Sequence, residues 1–257
     1  MPALPETRAY VIHTNGLALW PEHKPLSEVL DLRDTTPEGI WEATYQGNPV
    51  PPGGVVFRRE WWEDNSTRVS LDDENLPHRT IARYISWDTA LKDKNDSDWS
   101  VGVVGELQHD YRLLIRRVYR QRLTFPYLPP HIGQVASAYA WDGKTRAVIV
   151  EDKASGTSAY QTLLMGADRE LARTLVPFMP QGDKQQRAQQ AAVWCKNGCV
   201  LLPWPGEETA EWLLGYETEL FGFPLSAYDD QVDATSQLIL YTENLLAEGW
   251  RKRGGRN

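Results

Sequence analysis

The sequence predicts an α/β fold: a mixed five-stranded sheet, three antiparallel strands followed by two parallel ones, flanked by helices. Three observations carry that expectation. Alternating apolar runs stand close together between Thr80 and Tyr119, separated only by short polar turns. Beyond Pro129 the pattern becomes helical, interrupted by two short β-rich runs at 146–150 and 199–202. Acidic residues recur where these pieces end or begin: Asp88, the Glu151-Asp152 pair, and Asp229-Asp230 with Asp233.

In chain order, residues 1–75 are dense in turn residues, with Pro21, Pro25, Pro37, Pro49, Pro51 and Pro52 and the Gly53-Gly54 pair. Two short helices, 26–32 and 39–45, fit between these breaks, and Trp20, Trp41, Phe57, Trp61 and Trp62 supply packing surface. We expect this stretch to be an extension packed on a main domain spanning 76–250, with a basic flexible tail at 251–257. The first strand is 80–87, the second 101–107 beyond the polar turn Lys92–Asp98, and the third 111–119 beyond His109-Asp110. Connections this short suit an antiparallel meander. Pro129-Pro130 introduces a helix over 131–139, and strand four is 146–150. A helix from Ser158 toward Met165 follows, then another over 184–194 that stops near Asn197-Gly198. Strand five, 199–202, ends at Pro203, and helices over 207–220 and 229–248 complete the order.

A composition of 41% hydrophobic and 24% charged residues describes an ordinary globular chain. No apolar run approaches the ~20 residues that span a bilayer, and the start is no signal peptide, so no membrane partner is expected. The net charge of −8 is unusual for a nucleic-acid binder. Basic residues nevertheless cluster at Arg112, Arg116, Arg117, Arg120 and Arg122, at Lys184 and Arg187, and at Arg251-Lys252-Arg253 with Arg256. Cys195 and Cys199 form a lone CxxxC, a poor zinc site, and read as reduced thiols of an intracellular protein. The five histidines fall at no metal-ligand spacing, and Gly-x-Ser-x-Gly is absent, which disfavours covalent hydrolase chemistry.

The acidic residues carry the chemistry. Carboxylates are costly to gather unless a cation neutralises them, so a sheet that brings these three points together makes a divalent-metal site. Glu151 and Asp152 alternate faces, so one of them points inward. Asp230 and Asp233 share a helix face. A helix N-terminus favours acids through its dipole, yet three aspartates within five residues repel one another, and that repulsion favours at least one metal ligand. Lys184 and Arg187 share a face suited either to phosphate or to solvent. A metal-dependent phosphodiester nuclease is the leading expectation.

Three stretches extend this reading: Ser86-Trp87-Asp88-Thr89-Ala90 with the later Asp98, Val150-Glu151-Asp152-Lys153-Ala154-Ser155-Gly156, and Tyr228-Asp229-Asp230-Gln231-Val232-Asp233-Ala234. In order and spacing they resemble the ribonuclease H-like nuclease superfamily, and within it the C-terminal nuclease domain of tailed-bacteriophage large terminase subunits. The segments 19–22 and 45–51 resemble the exit from the ATPase domain in such proteins. The resemblance implies a ribonuclease H-like fold and cleavage of double-stranded DNA with low sequence specificity, as in the step that cuts concatemeric phage genomes. It implies two Mg²⁺ or Mn²⁺ ions, with Asp88 bridging both, Glu151 or Asp152 on one, and Asp230 or Asp233 on the other, Asp229 being a neighbour. Lys153, Lys184 and Arg187 would contact DNA. A packaging ATPase, a small terminase subunit and a portal would be partners of a monomeric module in the bacterial host cytoplasm. Gly143-Lys144-Thr145 is no P-loop, because Ala138 stands where its first glycine belongs, so an isolated module, fragment, split gene or remnant is expected. Two other readings are a Holliday-junction resolvase-like nuclease and a non-catalytic DNA- or portal-binding module.

Overall fold

The computed structural model describes residues 18, 20–35, 56–89, 99–124, 126–151, 159–179 and 182–254. Its contacts divide the chain into two units, Met1–Val56 and Phe57–Asn257. Within the first unit, helix α1 (Leu26–Thr35) buries Val29 beside Ala18, with Leu26 and Leu32 packed around them. Their i, i+3, i+6 spacing is one helical face. The helix expected over 39–45 lies outside the described residues.

The second unit is built on a sheet of seven strands rather than the five expected. They are β1 (Arg68–Val69), β2 (Thr80–Asp88), β3 (Ser100–Gln108), β4 (Leu113–Gln121), β5 (Thr145–Glu151), β6 (Leu175–Phe178) and β7 (Val200–Pro203). The helices are α2 (Leu76–Arg79), α3 (Leu128–Ala138), α4 (Ala159–Gly166), α5 (Arg169–Thr174), α6 (Lys184–Lys196), α7 (Leu213–Gly222) and α8 (Asp230–Gly254), with 3-10 turns at Arg59–Trp62 and Glu207–Thr209. The sheet order is β1-β7-β4-β3-β2-β5-β6. The expected meander is β2-β3-β4, antiparallel throughout. The two later strands pair in parallel on opposite flanks, β5 with β2 and β7 with β4. The two additional strands are both edges. β1 has two residues, and β6 carries Pro177, whose missing N–H is tolerated at a sheet edge. The helix expected over 207–220 is two pieces, a 3-10 turn and α7, and the 143–145 segment is a turn with Gly143 at φ +65°.

Alternation gives the central strands two buried faces. On one, Ile85, Trp87, Val104, Val148 and Val150 pack against Leu128 and Ile132 of α3 and Ala159 and Leu163 of α4. On the other lies α8, where Tyr241 meets Tyr84 edge-on and Leu238 sits over Gly105. Ser86 and Asp88 of β2, and Ile149 and Glu151 of β5, therefore face α8. At the far end of the sheet Arg83 is 4% exposed and bridges Glu106 (2.8 Å) and Asp142 (2.9 Å). No described helix is long and apolar enough to cross a membrane.

Gly102 fixes the end of β2 that matters for the site. It faces the indole of Trp87, and a Cβ there would stand 2.6 Å from the Trp87 Cζ2. Glycine lets that ring lie flat on β3, immediately before Asp88. Gly102→Ala is expected to destabilise by about 1–3 kcal/mol through overpacking, measured by denaturant unfolding. Wild-type stability in the variant would show that the ring is free to shift.

Candidate active site

β2 and β5 are parallel and in register at Trp87 and Val150, so Asp88 and Glu151 follow side by side on the face toward α8. Neighbouring strands are ~4.8 Å apart. Both carboxylates are nearly buried, at 8% and 7% exposure. Asp152 and Lys153 lie outside the described residues.

α8 brings the third acidic group to this end of the sheet. Its Gln237 side chain donates to the Trp87 carbonyl at 3.5 Å, and Asp233 lies one turn closer to the helix start. The first turn is anchored by α7, where Glu219 accepts the Gln231 backbone N–H and its Nε2, both at 2.7 Å. Glu219 and Gln231 are buried. A carboxylate at this position also meets the positive end of the helix dipole. The Arg120 Nη2 stands 3.3 Å from Glu219 Oε2, tying β4 to the same anchor.

The three helix aspartates differ in their surroundings. Asp233 Oδ2 is 2.6 Å from Lys184 Nζ and its Oδ1 is 3.0 Å from Arg187 Nη2, while Asp229 Oδ1 is 2.9 Å from the same lysine. Lys184 and Arg187 of α6 thus act as counter-ions of the acidic helix start. The two carboxylates hold the Lys184 ammonium in its charged form, outweighing burial. Asp230 has no hydrogen-bond or ion-pair partner among the described residues. Burial, then the Asp229 and Glu219 carboxylates, pushes its carboxyl above the usual range. Burial also raises Asp233, against the opposing pull of Lys184 and Arg187.

Of the expected residues, Asp88, Glu151, Asp229, Asp230 and Asp233 therefore lie toward one end of the sheet through strand register and helix docking. Among the described residues, however, no three acidic, histidine or cysteine side chains converge closely enough to hold a metal ion as they stand. The donors themselves are carboxylates alone, the hard oxygen ligands that suit Mg²⁺ or Mn²⁺. Asp230, half-buried and without a partner among the described residues, fits a cation. Sequence reasoning missed Glu219, Gln231 and Gln237, whose roles exist only once α7, α8 and β2 are packed. It also missed Trp99 and Tyr228, whose rings meet at 6.4 Å across the same end of the sheet.

Asp230 gives a pH test with a definite sign. Its folded pKa lies above the unfolded value near 3.9, so the ionised group costs stability at neutral pH, and the cost fades as pH falls through the folded pKa. Asp230→Asn is expected to raise the metal-free Tm at pH 7, on a scale of roughly 2–4 °C per kcal/mol. The gain should vanish toward pH 4. A lowered Tm at pH 7 would mean that the carboxylate is compensated.

The terminase RNaseH-like domain family matches residues 85–242, from β2 to α8 and more than half of the chain. Among solved structures, the large terminase of the thermophilic bacteriophage D6E (crystal form 3) is similar at 14% identity and a TM-score of 0.51. The match covers 83% of this chain and 52% of that one. A second D6E structure (crystal form 2) gives 13% identity and a TM-score of 0.50 over 73% of this chain and 44% of that one. The large terminase nuclease of thermophilic phage G20c with bound magnesium is matched at 16% identity and a TM-score of 0.37, covering 63% and 85%. The chain spans about half the length of the large terminases that it matches. No curated protein matches. The D6E likeness shows a shared fold, and the family match includes Asp88, Glu151, Asp230 and Asp233: the chain belongs to the terminase RNaseH-like domain family.

Proposed function

We propose that this chain is a metal-dependent endonuclease that hydrolyses phosphodiester bonds of double-stranded DNA, as in the genome-cutting step of phage packaging. The observation that carries this reading is the placement of two nearly buried carboxylates, Asp88 and Glu151, on adjacent parallel strand ends beneath the acidic start of α8. A purely structural acid is compensated, as Glu106 and Asp142 are by Arg83 at the other end of the sheet. Asp230 is not.

In this reading Asp88, Glu151 and Asp230 would hold divalent Mg²⁺ or Mn²⁺, with two ions as the proposed number. Bound there, the metal supplies Lewis-acid stabilisation of the phosphoryl oxygens and lowers the pKa of a bound water. The fold's own contribution is to orient the carboxylates. Glu219 fixes the first turn of α8, Gln237 fixes its height on β2, and Lys184 and Arg187 hold Asp229 and Asp233 through α6. Asp233 is then a positioning residue and Asp230 the helix ligand. Contacts to the DNA are electrostatic and directed at the backbone, which gives low sequence preference. A packaging ATPase, a small terminase subunit and a portal are the partners this family context proposes.

Plasmid nicking in Mg²⁺, Mn²⁺ or EDTA tests the reading. Cleavage should need metal and fall by about 10²-fold or more in Asp88→Ala and Glu151→Ala, and Mn²⁺ should raise the Tm of the wild type but not of Asp88→Ala. Cleavage that survives either substitution, or EDTA, would remove the acidic site from the chemistry.

A further inference from the structure

The cations along β4 and at the start of α6 are unevenly committed. Arg112 pairs with Asp110, Arg116 with Glu208 and Arg117 with Glu211, at 2.7, 2.7 and 2.9 Å. Lys184 and Arg187 are held by Asp229 and Asp233. Arg122 is exposed and makes no ion pair among the described residues. Instead its guanidinium lies 4.5 Å from the centroid of the Trp99 ring.

Strand register places this arginine relative to the acids. Val101 of β3 pairs with Asp88 on one side and Arg120 on the other, and Ser100 pairs with Gln121, so Arg122 lies one position further out, beside Trp99. Arg120 shares the α8 face with Asp88, and Arg122 has the same parity. Two strand spacings of ~4.8 Å put them about 10 Å to the side of the carboxylates.

Among the described residues around Arg122 the donors outnumber the acceptors. Arg120 is clasped between Trp99 (4.5 Å) and Tyr228 (4.8 Å). The Arg120 Nε and Nη2 and the Trp99 Nε1 are buried without hydrogen-bond acceptors among the described residues, Glu219 lying at ion-pair distance from Nη2 but outside hydrogen-bond geometry. Buried donors left without acceptors carry a desolvation cost that an anion nearby would relieve. The ring face holds the Arg122 guanidinium in place in advance, which lowers the ordering cost of binding.

We propose that Arg122, backed by Trp99 and Arg120, binds backbone phosphates of the DNA strand to one side of the acidic site. This rests on the nuclease reading and deepens it, assigning the flanking phosphate contact to the end of β4, while the α6 cations serve the acidic helix. Loss of one phosphate contact reduces the slope of log K against log salt by about 0.9.

Fluorescence anisotropy with a labelled 30-base-pair duplex, in EDTA and between 50 and 200 mM salt, tests this. Arg122→Gln should weaken binding five- to tenfold at the low-salt end and flatten the slope by about 0.9, with an unchanged Tm. Lys196→Gln, at the other end of α6 and about 18 Å from Lys184, should bind as wild type does. Wild-type affinity and slope in Arg122→Gln would overturn the proposal and leave the nuclease reading standing. A wild type that neither binds nor cuts DNA would remove both. Inorganic phosphate at matched ionic strength should compete weakly; if it abolishes duplex binding, the site is one for free phosphate and the proposal fails.

Discussion

Everything at the acidic end of this molecule depends on how α8 seats on the sheet. The helix turns about 100° per residue, so a slip of one position would carry Asp230 and Asp233 away from the strand ends. Three contacts set the register. Gly105 admits Leu238 where a Cβ would stand 2.8 Å from its Cδ2. Gln237 reaches the Trp87 carbonyl, one residue before Asp88. Glu219 holds the first turn through Gln231. Apolar packing thus fixes the rotation of the helix, and two polar contacts, one within its acidic turn and one a turn beyond it, fix its height and its start.

That seating concentrates negative charge, and the structure compensates only part of it. Arg83 neutralises Glu106 and Asp142 deep in the opposite end, where a buried charge without partners would cost several kcal/mol. Lys184 and Arg187 perform the same office for Asp229 and Asp233, from a helix whose N-terminal turn is capped by Asp183. Asp230 is left without a partner among the described residues, beside carboxylates that raise its proton affinity. A half-buried carboxylate without a partner among the described residues, beside two strand ends and a helix start, is the electrostatic signature expected of a cation site.

Much of this was legible in the chain. The meander followed from strict alternation and short polar turns, and its strands extend the expected ones by only one or two residues at most ends. The acidic motifs stood out because each occupied the end of a recognisable element. Other features had no local signal. β1 is two residues long, and β6 hides behind Pro177, so neither has enough length to show a period. The helical pattern through 207–220 concealed a break, because apolar spacing cannot reveal that Thr209 closes a 3-10 turn onto Gly206. The pairing of Lys184 with Asp233 joins residues far apart in sequence, and a basic helix face reads alike whether it meets solvent, phosphate or aspartate. The role of Glu219 is likewise invisible until α7 packs against the start of α8.

The most direct measurement is anomalous scattering from crystals of this protein grown or soaked with Mn²⁺. The account predicts manganese between the strand ends and the helix start, with carboxylate oxygens of Asp88, Glu151 and Asp230 as ligands. Manganese absent from this end of the sheet, or held by Asp229 and Asp233 with Lys184 displaced, would contradict it.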